Sequence, residues 1–163
     1  MKAQRAVLAV PVLAVLVAAW FGWSWWHAAH DDSLARGRDR DAVLAAASAE
    51  LVALNTIDYH HGGADVDRWI GATTGQYGED LAGDRQLQLD RATSTKTIST
   101  ASLVQAAVTD LDPAAGTARV IAVLDVRVST GGGAAVPKQA RLTVDFTRDG
   151  DTWKVGGVQA VGS

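Results

Sequence analysis

Residues 117–129 read TARVIAVLDVRVS, and the fold is decided here. Val120, Leu124, Val126 and Val128 fall on one parity, the period-2 signature of a strand with one face on a core. Ile121 and Val123 are apolar on the other parity, which predicts a central strand covered on both faces at one end. Upstream, Leu111-Asp112-Pro113-Ala114-Ala115-Gly116 reads as a turn, and Ser99–Thr109, rich in Val, Thr, Ser and Ala, as a preceding strand. Downstream, Gly-rich residues 130–135 form a loop. Ala140–Arg148 then alternates, with Leu142, Val144 and Phe146 inward and Arg141, Thr143, Asp145 and Thr147 outward. Asp149-Gly150-Asp151 is a hairpin turn into a last strand over Thr152–Val161, led by Trp153 and Val155.

Before residue 97 the period is helical. Val43, Leu44, Ala47, Leu51 and Leu54 form one apolar stripe in a helix over 31–54, with Gly37 weakening its early part. Asn55-Thr56-Ile57-Asp58-Tyr59 ends or kinks it, and His60-His61-Gly62-Gly63 reads as a loop. A second helix is predicted from Asp65 through Trp69 and Ile70, and a third over Tyr77–Ala92 despite Gly78 and Gly83. Helices followed by strands define an α+β domain. A four-stranded antiparallel curved sheet wrapping the first helix is a cystatin-like, or nuclear-transport-factor-like, cone.

Residues 6–26, AVLAVPVLAVLVAAWFGWSWW, carry no charge and as a helix span roughly 30 Å, about one hydrocarbon core. Pro11 is tolerable in such a helix. Trp20, Phe21, Trp23, Trp25 and Trp26 crowd its far end, as rings at a membrane interface do; a contact surface for a partner's membrane helix is the sharper alternative. The run exceeds a cleavable signal's apolar region of about 7–15 residues. Cleavage after Ala28 or Ala29 would also put bulky Trp26 or His27 two residues earlier. The expectation is an uncleaved signal anchor: cytoplasmic tail 1–5, transmembrane segment 6–26, juxtamembrane stalk 27–40 and extracytoplasmic domain 41–163. Lys2 and Arg5 favour a cytoplasmic N-terminus, although Arg36, Arg38 and Arg40 on the far side blunt the charge rule.

A net charge of -3 without a basic stripe argues against nucleic-acid binding, and the absence of cysteine removes disulfides, thiolate metal sites and thiol nucleophiles. Gly131-Gly132-Gly133 lies between strands and is no phosphate loop. Asp58, Tyr59, His60 and His61 supply general-base types, yet solvated loop histidines and a packed tyrosine explain them as well. His60 and His61 with Asp65 and Asp67 are metal-ligand types at no zinc spacing, and His27 and His30 fit an interfacial position. Trp69 and Trp153 are expected in the core, or else walling a lipid pocket. Asp125, Arg127, Arg141 and Asp145 read as a solvated face pairing across strands. No catalytic, cofactor or metal residue is assigned.

The order of these features resembles the Mce-associated membrane proteins (Mce for mammalian cell entry) of actinobacteria. The resemblance is carried by the anchor, by Leu54-Asn55-Thr56-Ile57-Asp58-Tyr59, and by Asp67-Arg68-Trp69-Ile70 with Ala72-Thr73-Thr74-Gly75. Residues 104–111 (VQAAVTDL), Val123-Leu124-Asp125-Val126, Arg141-Leu142-Thr143-Val144 and Trp153-Lys154-Val155 complete it. Asn55, Asp58, Tyr59, Trp69 and Trp153 are its candidate motif residues. The resemblance implies a non-enzymatic accessory or scaffold subunit of an Mce-type lipid import complex in the plasma membrane. Mce proteins, other envelope transport subunits and the bilayer would be partners, with a homo-oligomer as a further option. It also implies a topology like that of type IV secretion assembly factors. A lipid-binding cone and, on the precedent of other cone folds, an isomerase or dehydratase are the alternatives.

Overall fold

The computed structural model describes residues 17–26 and 32–161. The chain divides into two compact units, Met1–Arg38 and Asp39–Ser163. In the first, residues 17–26 are helical (α1), with Trp20, Phe21, Trp23, Trp25 and Trp26 exposed. Among the described residues no helix is long and apolar enough to cross a membrane. The expected tail 1–5, the first part of the expected span (6–16) and the His27 and His30 positions lie outside the described residues.

Helix α2 runs Asp32–Leu54. Then follow β1 (Ile57–Asp58), α3 (Gly62–Gly71), α4 (Gly75–Gly83), α5 (Arg85–Thr95), β2 (Ile98–Asp112), β3 (Thr117–Ser129), β4 (Val136–Asp149) and β5 (Thr152–Ala160). The strands form one antiparallel meander in the order β1-β2-β3-β4-β5. The sheet thus has five strands, not four. The extra one is only two residues long, pairing Ile57 with Ser99 and Asp58 with Ile98, too short to show an alternation. The single helix expected over 77–92 is two, because the chain turns at Gly83-Asp84 and restarts at Arg85. Strands β2 and β4 extend beyond their predicted ends, since pairing with β3 orders Ile98, Asp110, Leu111 and Asp112 of β2 and Val136, Pro137, Lys138 and Gln139 of β4, which show no clean alternation in the sequence.

The sheet bends through irregularities. The β2–β3 register skips Val104 and Thr109, and the β4–β5 register skips Gly156. At Gly156 a Cβ would meet the Thr147 hydroxyl at 3.1 Å, so glycine allows the close approach without moving that side chain. The β4–β5 turn places Gly150 at φ +62°, a conformation that glycine adopts without strain.

Strand alternation sets the core. Val120, Leu124, Val144, Phe146, Trp153 and Val155 are buried on one face, where Val43, Ala47 and Leu51 of α2 cover them. Those three lie four residues apart, a single stripe along α2. Each fully buried large apolar side chain contributes about 1.5–3 kcal/mol, so this contact dominates the domain's stability. A smaller cluster of Ile57, Val66 and Ala92, with Tyr59, Trp69, Ile70 and Leu89 against it, holds the short helices to β1.

The expected cover on both faces of β3 is not found among the described residues. Ile121 is 47% exposed, and Val104 on the neighbouring strand is exposed too.

Candidate functional site

The corner after α2 explains most of the motif residues. A helix leaves its last carbonyls without intrahelical partners. Here Asn55 Nδ2 donates to the Leu51 carbonyl (2.8 Å) and Thr56 Oγ1 to that of Val52 (2.7 Å). Trp69 Nε1 reaches back from α3 to the carbonyls of Ala53 (2.8 Å) and Thr56 (3.0 Å). Ser99 Oγ of β2 donates to the Asn55 carbonyl at 2.8 Å. This stretch of Asn55-Thr56 and Trp69 is therefore a C-terminal cap that joins α2, α3 and the sheet. Trp69 is half-buried and acts as a hydrogen-bonding staple as well as an apolar anchor.

The next residues gather charge at the surface. The Asp58 carboxylate accepts from the His60 backbone N–H (2.9 Å) and contacts His60 Nδ1 (2.7 Å), with His61 Nδ1 3.8 Å away. The His60 N–H and imidazole hold the Asp58 carboxyl below the usual carboxylate range. Tyr59 stacks on the His60 ring at 3.9 Å. The Asp58 N–H in turn donates to buried Asp65, which is paired with Arg68 at 2.8 Å. The structure thus brings Asp58, Tyr59, His60 and His61 together, but on an open surface with the carboxylate already engaged. A general base needs a reachable proton and a tuned environment, and here the Asp58, His60 and His61 side chains all face solvent. Among the described residues no three His, Asp or Glu side chains converge as metal ligands. Asp67 is turned away to Arg85, whose guanidinium holds its carboxyl low.

Trp153 is 3% exposed and lies in the main core. The Arg148 guanidinium sits 4.8 Å over its ring and binds Asp39 near the start of the domain. Among the described residues the Trp153 Nε1 has no hydrogen-bond partner. The cone's interior is occupied by α2, with Val43, Ala47 and Leu51 wholly buried against the sheet.

The open space lies on the opposite face. A groove of about 290 Å³ is lined by Gln105, Ala107, Ile121, Val123, Arg141 and Val161, with inward-facing Ala106, Ala122 and Leu142 contributing at its floor. A second, polar depression of about 520 Å³ adjoins it around Ser102, Asp125, Arg127 and Gln139. Beside the groove, Arg119 pairs with Asp145 at 2.7 Å. Asp125 meets Gln139 Nε2 at 3.4 Å rather than an arginine. The sequence carried one signal for this surface, Ile121 and Val123 on the outward parity.

A family model described as "Uncharacterized protein Rv1363c/MT1408-like" matches residues 3–162, and the chain belongs to that family. No curated protein matches the sequence. Among solved structures, the chain is similar to the periplasmic domain of DotI, at 14% identity and a TM-score of 0.61, covering 76% of this chain and 95% of that one. An IcmL-like type IV secretion system protein of Legionella pneumophila is similar at 15% identity and a TM-score of 0.58, covering 76% and 91%. The VirB8 protein of Agrobacterium tumefaciens follows at 10% identity and 0.54, covering 76% and 92%. At such identities the likeness is one of fold: helices on a five-stranded antiparallel sheet of the nuclear-transport-factor and VirB8 type.

Proposed function

We propose that this chain is a non-enzymatic assembly factor of the cell envelope. It would be held to the plasma membrane by residues 6–26, with its α+β domain outside the cytoplasm contacting other subunits of a multi-protein complex. The observation that carries the reading is the pairing of this fold, like that of an IcmL-like secretion protein, with a sheet interior filled by α2. Among the described residues the interior of the cone is filled by Val43, Ala47 and Leu51, whereas the outer sheet face offers a surface. The motif residues Asn55 and Trp69 cap a helix, and Asp58 is engaged by His60, which supports a structural role for them.

Two complexes come into question: the fold likeness supports a type IV secretion-like assembly, and the order of sequence features suggests an Mce-type lipid import system. The test is capture of the intact chain, cross-linked in its native host, with identification of what comes with it. Recovery of several envelope subunits is expected. Mce subunits among them would assign the complex, secretion subunits would assign the alternative, and a chain recovered alone would refute both. Topology is checked by a C-terminal alkaline phosphatase fusion, which is expected to be active.

A further inference from the structure

We propose that the open face of the sheet is a homodimer interface, on which two copies pack with strands antiparallel, β3 over β3, about a twofold axis crossing the strands between Ile121 and Val123. The inference deepens the assembly reading and rests on it only for its biological purpose.

The register gives the face row by row. Across β2, β3 and β4 the outward residues are Asp110, Arg119 and Asp145 in one row, and Ala107, Ile121 and Thr143 in the next. Gln105, Val123 and Arg141 follow, then Ser102, Asp125 and Gln139. The centre is apolar and open: Ile121 is 47% exposed, and Val104, displaced by the β2 bulge, is 55% exposed. A patch of this kind ringed by charge marks a protein contact.

The charges then select the occupant and its orientation. A self-packed face obeys a twofold axis, so each residue meets a residue of the same face. With the axis along β3, Arg119 would meet Arg119 of the copy and Asp125 would meet Asp125, while Asp110 would meet Asp145. Like charges so opposed are repulsive. With the axis across the strands, Arg119 meets Asp125 of the copy, Asp145 meets Gln139, and Ile121 meets Val123. No like charges are opposed in these four rows. Packed sheets are rotated by about 30°, which at Arg119, about 10 Å from the axis at 3.3 Å per residue, displaces the partner by about 5 Å. Arg119 pairs through Nε with Asp145 of its own chain, and its guanidinium spans that offset by sharing or exchanging this partner. A bilayer is the poorer occupant, because the face mixes Asp110, Asp112, Asp125 and Asp145 with Arg119, Arg127 and Arg141 and so offers anionic headgroups no basic surface.

The chain has no cysteine, so engineered thiols are unambiguous. Intact chains carrying Arg119→Cys and Asp125→Cys are mixed in detergent and treated with a short bis-maleimide linker. The mixture should cross-link well above either variant alone; cross-linking of Arg119→Cys with itself at equal yield would overturn the arrangement. In parallel, density-matched sedimentation equilibrium should give twice the 17.0 kDa chain mass for the native protein. Ile121→Asp and Arg119→Glu should each weaken association at least tenfold, and Arg119→Glu with Asp125→Arg should restore it. A native monomer, or a dimer indifferent to Ile121→Asp in a chain whose circular dichroism is unchanged, would overturn the proposal. A confirmed dimer that captures no envelope subunit would leave this inference standing and remove the assembly reading.

Discussion

The two faces of this sheet are made by the same strands, one residue apart, and differ in what lies over them. On the inner face Val120, Leu124, Val144 and Phe146 are sealed by α2. On the outer face Ile121 and Val123 stand at the centre of a shallow groove with charged neighbours. Inner positions thus report on folding. Outer apolar positions, which the described fold does not need, report on association. A strand that is apolar on both parities is not by itself evidence that its own chain covers both.

The largest expected effect tests that division directly. Leu51→Ala removes a wholly buried side chain between α2 and the sheet and should cost about 2–5 kcal/mol, because the lost contacts add to a cavity that rigid neighbours fill poorly. Ile121→Ser, measured dilute so that association does not contribute, should change stability by no more than about 0.5 kcal/mol. Urea unfolding of the intact chain, followed by tryptophan fluorescence, reads both. Comparable losses would mean that the outer face is also core, and the comparison between the faces would collapse.

Next in size is the cap that fixes α2 to the sheet. Trp69→Phe keeps the ring's packing and removes a donor that serves the Ala53 and Thr56 carbonyls. A loss of about 1–2 kcal/mol is expected for those half-buried bonds. Trp153 provides the contrast, since its Nε1 has no partner among the described residues and Trp153→Phe removes none of their hydrogen bonds. If unfolding energies show Trp69→Phe to be neutral, the corner is held by apolar packing alone and the cap reading fails.

These positions also show what the sequence made legible. The stripe Val43, Ala47, Leu51 and the alternation through Val144 and Phe146 identified both halves of the core, because burial imposes a period on apolar residues. Strand β1 escaped because two residues beside a helix cap have no period, and the break at Gly83-Asp84 was hidden by the polar sequence around it. The candidate site was less legible. Asn55, Asp58 and Trp69 stood out as residue types, but their roles depend on partners 2 to 16 residues away that the fold brings into contact. Ile121 was visible as an anomaly and was misread as a covered position, since periodicity reports apolar character and not what provides the cover.

A smaller effect separates the exposed Asp58 cluster from both faces. The Asp58 carboxyl is held low by the His60 N–H and imidazole, so the charged form is favoured in the folded state. Its contribution to stability is present above the ordinary carboxylate range and fades as pH falls through the lowered value. Asp58→Asn should therefore lower Tm slightly at pH 7, with the difference shrinking towards zero in strong acid. A pH series of thermal melts checks it, and a difference that persisted unchanged at low pH would assign the loss to something other than the carboxylate.

The smallest effect runs the other way and belongs to the edge of the inner face. Glu50 lies on α2, three residues after Ala47 and one before Leu51, where partial burial raises its carboxyl above the ordinary value despite the attraction of Lys154. A raised acid favours the protonated form in the folded state. Its penalty is absent at pH below the unfolded carboxyl's range and grows as pH rises through the raised value. Glu50→Gln removes the charge and keeps the shape, so it should raise Tm slightly at pH 7 and leave it unchanged near pH 3. If instead the substitution lowers Tm at pH 7, the Lys154 attraction outweighs desolvation, and this margin of α2 would behave as an exposed surface rather than as part of the sealed face.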